Sequence, residues 1–144
     1  MIKDVVVTDL DVIDTPGGNV MHAIKNTSNG FKGFGEAYFS CIDNGAIKAW
    51  KRHKNMTLNL IVPVGKVKFV LFDDRDQSNV QFQEIILSRH SYSRLTVPPM
   101  IWIGFKGLLE NGSMLLNVAN IEHNPYEVDR LEIDKINYDW SALR

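Results

Sequence analysis

The sequence has a single cysteine, Cys41, and that scarcity removes several chemistries at once. An internal disulfide is excluded, as is any paired-cysteine metal or redox motif. The four histidines, His22, His53, His90 and His123, are scattered along the chain. Lys51 fills the place where a His-x-His pair with His53 would need its first member, and an ammonium repels a divalent ion, so no metal site is expected. No apolar run approaches the roughly 20 residues that span a bilayer. The opening "MIKDVVVTDLDVIDT" carries acids inside its apolar stretch, unlike a signal peptide, so the expected location is cytoplasmic, with no membrane partner. The formal net charge is −1, which gives no global bias towards nucleic acid; any anion site must be local. "GFKGFG" is not followed by a strand–helix unit, so it is no nucleotide-binding loop. There is no serine nucleophile elbow, and Cys41 has no histidine nearby in sequence to activate it.

What is present is enough for one domain over residues 1–144: apolar residues make up 44% of the chain, which supports a hydrophobic core. Short Gly-, Asn- and Pro-rich clusters recur between apolar stretches, as turns do in an all-β protein. "MTLNLIVPVGKVKFVLFDD" is the clearest signal, period-2 patterning broken by "PVGK", hence two strands and a tight turn at Gly65. "VVVTDLDVI", "MHAIK", "GEAYFSCI", "AIKAW", "FQEIILS", "RLTVPP", "IWIGFKGL" and "SMLLNVANI" read as further strands. Only "PYEVDRLEIDKI" has the look of a short helix. The series predicts a β-sandwich or jelly roll. Trp102 and Phe105 are expected in its core.

"AIKAWKRHKN", residues 46–55, gathers cations on a strand. On a regular strand Lys51 and His53 share a face with Ala49, while Lys48, Trp50 and Arg52 take the other. Such a strand is either a lysine-protected edge or the wall of a pocket for an anion. In "FDDRDQ", Asp73 and Asp74 make either a turn with a local salt bridge to Arg75 or the acid that orients a base.

Four stretches, "GEAYFSCIDNGAIKAWKRHK", "LIVPVGKVKFVLFDDR", "LTVPPMIWIGFKGL" and "YDW", together resemble the dTDP-4-dehydrorhamnose 3,5-epimerase family, in its order and spacing, from about Gly35 to Trp140. The resemblance implies a cupin-type jelly roll (a double-stranded β-helix) that acts on a nucleotide sugar by enolisation next to a keto group. It implies no cofactor and a homodimer. The family's base is a histidine held by an aspartate, with a tyrosine opposite and an arginine on the diphosphate. Laid against that pattern, "NGAIKAWKRH" puts Lys48 at the phosphate arginine and Lys51 at the catalytic histidine, with His53 two residues on. Ile103 falls at a second histidine and Leu116 at the tyrosine. Tyr38 and Tyr92 are the alternative proton donors. The resulting catalytic candidates are His53, Lys51, Asp73 and Asp74; the substrate-binding candidates are Lys48, Trp50, Arg52 and Asn59. Two readings follow: a nucleotide-sugar epimerase or isomerase serving surface polysaccharide synthesis, or a catalytically lapsed jelly roll that binds a nucleotide sugar or glycan.

Overall fold

The computed structural model describes residues 1–142, which form twelve strands and two single-turn 3₁₀ helices. The strands are β1 (Val6–Asp9), β2 (Val12–Thr15), β3 (Gly18–Met21), β4 (Glu36–Ile42), β5 (Ile47–His53) and β6 (Leu58–Val64), then β7 (Lys66–Asp73), β8 (Gln81–Ser88), β9 (Ser93–Val97), β10 (Trp102–Gly107), β11 (Ser113–Ala119) and β12 (Val128–Arg130). One five-stranded sheet runs β1-β9-β6-β11-β4 and a second runs β12-β5-β10-β7-β8; every pairing is antiparallel. This is the all-β jelly roll that the patterning predicts. No helix among the described residues is long and apolar enough to cross a membrane.

The alternation on β6 and β7 does the work of sheet assembly. Leu58, Leu60, Val62, Val67, Phe69 and Leu71 all join one buried cluster between the sheets. Each such side chain, fully buried, contributes about 1.5–3 kcal/mol relative to exposure. The β6–β7 turn sits at Gly65, whose φ of 91° suits glycine; a Cβ there would lie 2.2 Å from the Ser113 hydroxyl oxygen. Trp50, Val70, Trp102, Ile136 and Trp140 form a second cluster on the outer face of the β5-β10-β7 sheet, under the C-terminal segment.

Three elements differ from the sequence reading. "MHAIK" is not a strand of its own: Met21 ends β3, and residues 22–25 are irregular. "VVVTDLDVI" is split between β1 and β2, and β2 and β3 form a separate two-stranded hairpin. The stretch 125–136 is not a helix: 3₁₀ turns at Pro125–Glu127 and Ile133–Lys135 flank β12, which adds to the edge of β5. Asn124 does cap a turn, its side-chain oxygen accepting from the Tyr126 N–H. The Glu127 side chain turns inward to His53 instead of supporting a longer helix.

Candidate active site

A cavity of about 710 Å³ opens between the two sheets at the end where β4 and β5 face each other. Leu58, Leu60, Leu115 and Ile103 give it apolar walls, and Phe105, expected purely in the core, contributes there as well. Polar groups enter from the two sides. Tyr38, Ser40 and Asn117 come from the first sheet; Lys48 and Lys51 come from β5; Arg130, Glu132 and Lys135 come from the C-terminal segment.

A bulge in β5 decides which cations face inward. Against β10, Lys51 pairs with Ile103 and Lys48 with Phe105, so Ala49 and Trp50 together stand opposite Gly104. Two residues against one is a β-bulge, and it shifts the alternation by one position. Lys48 and Lys51 therefore share the cavity face, and the regular-strand expectation that put Lys48 with Trp50 and Arg52 is corrected. Gly104 makes room for the bulge: a Cβ there would lie 2.9 Å from the Ala49 Cβ and 2.8 Å from the Trp140 ring. Trp50 borders the cavity, but it is 2% exposed and its ring packs on the outer face, 5.4 Å from that of Trp140, with Nε1–H donated to the Ile133 carbonyl.

Lys51 and His53 share a face, as alternate residues do. His53 is 4% exposed and lies one strand step beyond the cavity-lining Lys51. Its Nδ1 meets Glu127 Oε1, and the other Glu127 oxygen accepts the backbone N–H groups of Asn55 at 3.0 Å and Met56 at 3.2 Å. His53 Nε2 is buried without a hydrogen-bond partner. Burial pushes the imidazole below its ordinary value, against the opposing pull of the Glu127 hydrogen bond. Burial works against the Glu127 carboxylate too, but the bonds from His53, Asn55 and Met56 together hold it below the usual range. The ground state is thus a neutral imidazole with Nδ1–H on a carboxylate and a lone pair at Nε2. That is the arrangement of a general base with its orienting acid.

The carboxylate bonded to His53 is therefore Glu127, not Asp73 or Asp74. Asp73 accepts from Arg75 through both oxygens, at 2.9 Å each, in a local turn. Asp74 takes the Trp102 indole N–H and pairs with Arg52 at 3.5 Å. Arg52 is correspondingly occupied, with Asp129 at 2.8 Å and its guanidinium 4.5 Å over Trp102, and it does not line the cavity. Asn59 lies on the outer side of β6, bonded to Arg94, Thr96 and Gly30, so it too is away from the cavity. Leu116 faces away between Leu115 and Asn117, both of which line the cavity. Of the two tyrosines considered, Tyr38 stands in the cavity wall, its phenol pushed up by burial, while Tyr92 is placed next to β9 outside it.

Sequence reasoning missed Glu127, Arg130 and Lys135. Arg130 is opposite Lys51 in the β12–β5 register. Among the described residues, no group of three or more His, Cys, Asp or Glu side chains is arranged to hold a metal ion.

The site is a histidine–carboxylate pair beside a cation-lined cavity in a two-sheet jelly roll, a lining suited to an anionic small molecule. No model of a known protein family matches the chain. The dTDP sugar isomerase of Desulfovibrio desulfuricans G20 superposes with a TM-score of 0.92 at 32% identity, covering 99% of this chain and 94% of that one. The probable low-salt glycan biosynthesis epimerase Agl13 of Haloferax volcanii is 27% identical over 142 residues, 96% of this chain and 89% of that protein. The dTDP-4-dehydrorhamnose 3,5-epimerase of Elizabethkingia anophelis NUHP1 shares the fold, with a TM-score of 0.79 at 17% identity over 98% of this chain and 83% of its own. The chain belongs to this family of dTDP-sugar isomerases and epimerases.

Proposed function

We propose that the protein is an isomerase or epimerase of a dTDP-4-keto-6-deoxyhexose, with His53 as the base that enolises the sugar next to its keto group. The observation that carries this is the buried His53–Glu127 pair, its Nε2 unpartnered, on the cavity side of β5. A carbonyl makes the adjacent C–H acidic enough for an imidazole of near-neutral basicity. An orphaned buried ring nitrogen is costly unless a ligand completes it, and an acidic C–H or hydroxyl of a bound sugar is such a ligand.

Lys48, Arg130 and Lys135 hold the diphosphate at the cavity. Arg130 supplies the forked donor geometry suited to phosphate, which Lys48 by itself lacks. The apolar walls suit the deoxy carbon and the pyrimidine. Tyr38 enters from the opposite sheet and stays protonated, so it supports return of a proton to the far face of the sugar. The intact dyad favours catalysis over the lapsed-binding alternative. The name of the Haloferax volcanii relative supports a role in glycan assembly, within a cytoplasmic pathway that draws on nucleotide sugars.

A homodimer fits the surface. The β2–β3 hairpin stands apart from both main sheets, with Val12, Ile13 and Val20 each 44–48% exposed, and two-stranded hairpins are marginal without a covering surface. Light scattering tests the dimer. The function is tested by proton NMR of dTDP-4-keto-6-deoxyglucose in D₂O. Loss of the C3 or C5 proton signal is expected, and product couplings separate epimerisation from ketoisomerisation. Binding without exchange at either carbon would overturn catalysis on this substrate.

A further inference from the structure

Lys51 is a cavity residue that general-base chemistry at His53 leaves unexplained. Among the described residues its ammonium has no hydrogen-bond or ion-pair partner, although Arg52, Lys54, Lys68 and Arg75 all have acidic ones. Its direct cross-strand neighbour is Arg130, a like charge, and like charges directly opposite destabilise a sheet. Lys48 is brought to the same face by the bulge. Burial, with the Arg130 and Lys48 charges beside it and Glu127 opposing, pushes Lys51 below the ordinary lysine range. A desolvated lysine beside other cations in a cavity is the recurrent setting of an amine nucleophile towards carbonyls.

We infer that Lys51 forms a Schiff base with the keto carbon of the substrate, so that the cavity activates the ketone covalently before His53 removes the proton. The inference rests on the keto-sugar reading above and deepens it. Lys51 and His53 are two residues apart on one face, about 6–7 Å along the strand, a span that one sugar ring can bridge. The Lys51 Nζ lone pair attacks the carbonyl carbon, and proton transfer from nitrogen to oxygen gives a carbinolamine. Its hydroxyl takes up a proton and leaves as water, forming a protonated imine. His53 Nε2 takes the proton from the adjacent carbon, and the C–H electron pair moves into the C=N unit to give a neutral enamine. Reprotonation at carbon restores the iminium. Water then adds to it and releases the ketone product and the free amine. The water lost is regained, and no oxidant or reductant enters.

The test uses the wild-type protein with two probes. Pentane-2,4-dione condenses with nucleophilic lysines to a stable enaminone that absorbs in the near ultraviolet. One adduct per chain, mapped by peptide mass spectrometry to Lys51 and absent from Lys51→Arg, is expected. Borohydride added during turnover of dTDP-4-keto-6-deoxyglucose should reduce the imine and leave the sugar nucleotide attached at Lys51. Lys51→Arg keeps the charge without the nucleophile, and should lower the exchange rate by about 10³-fold or more, the scale on which removal of a covalent nucleophile is read. No adduct at Lys51 with either probe overturns the inference, as does Lys51→Arg retaining above about a tenth of the exchange rate. Proton exchange without trapping would leave the enolisation reading intact and remove the imine. A dione adduct at Lys51 without exchange would uphold the nucleophile and sink the substrate assignment.

Discussion

Replacing Glu127 with Gln separates orientation from packing. The Glu127 carboxylate accepts three N–H groups: His53 Nδ1–H, Asn55 N–H and Met56 N–H. A glutamine can keep its carbonyl oxygen on the two backbone donors, since leaving buried N–H groups unmade costs about 1–3 kcal/mol each. Its NH₂ then points at His53 Nδ1 and donates, which forces the ring proton onto Nε2. The base is lost by tautomer, with the fold retained. Correctly placed general bases contribute about 10²–10⁴-fold, and the loss should fall in that range. Stability should drop only by the difference between charged and neutral acceptors, about 1–2 kcal/mol. Solvent-deuterium exchange of dTDP-4-keto-6-deoxyglucose gives the rate, and thermal melting gives the fold. The expected result is a collapse in kcat with KM little changed. An exchange rate within about threefold of wild type would refute the dyad. Glu127→Ala, by contrast, strands both backbone donors and should cost about 2–5 kcal/mol.

Further outcomes follow from the same geometry. Lys48→Ala or Arg130→Ala should weaken dTDP binding by about 10–100-fold in calorimetry, since charge-assisted bonds are each worth about 1.5–3 kcal/mol. Arg52→Ala should leave that affinity unchanged and cost at most about 1 kcal/mol of stability, because Arg52 is engaged by Asp129 and Asp74. The rate should fall on acidification through a point below the ordinary histidine value of about 6.5, since protonating His53 removes the base. Stability follows the same sign: the unfolded chain takes up the His53 proton first, so stability is full above about 6.5 and declines below it. Depressed Glu127 adds a further loss at lower pH as it protonates. A melting temperature flat across that interval would contradict the burial of the imidazole. Gly104→Ala should cost about 1–3 kcal/mol in denaturant unfolding, because its methyl meets Ala49 and Trp140.

The strands were readable because burial on one face imposes period two, and "MTLNLIVPVGKVKFVLFDD" shows it on both sides of its turn. Lys48, Lys51 and His53 were readable for the same reason, as basic residues where apolar ones belong. Which of them face the cavity was not, because a bulge depends on Gly104 in a different strand. Glu127 was hidden by its neighbourhood. "NPYE" carries a turn cap and then an acid, which suits a helix start, and nothing local shows that the acid reaches 74 residues back to His53. Asp73 and Asp74 stand together as a pair of acids, yet Arg75 two residues away satisfies the first of them. Polar pairings between distant segments leave no periodic trace, whereas alternating burial does.

The last strand makes the chain's terminal stretch an integral working part. Glu127, which meets His53 Nδ1, and Arg130 and Lys135, which line the cavity, all belong to one run pinned to β5 by β12 and by the Trp50–Leu131 backbone bonds. Arg130 thus sits on the same short ribbon whose Glu127 bonds His53. Both features rest on one ribbon, so a change that detached β12 from β5 would take Arg130 from the cavity and Glu127 from His53 together.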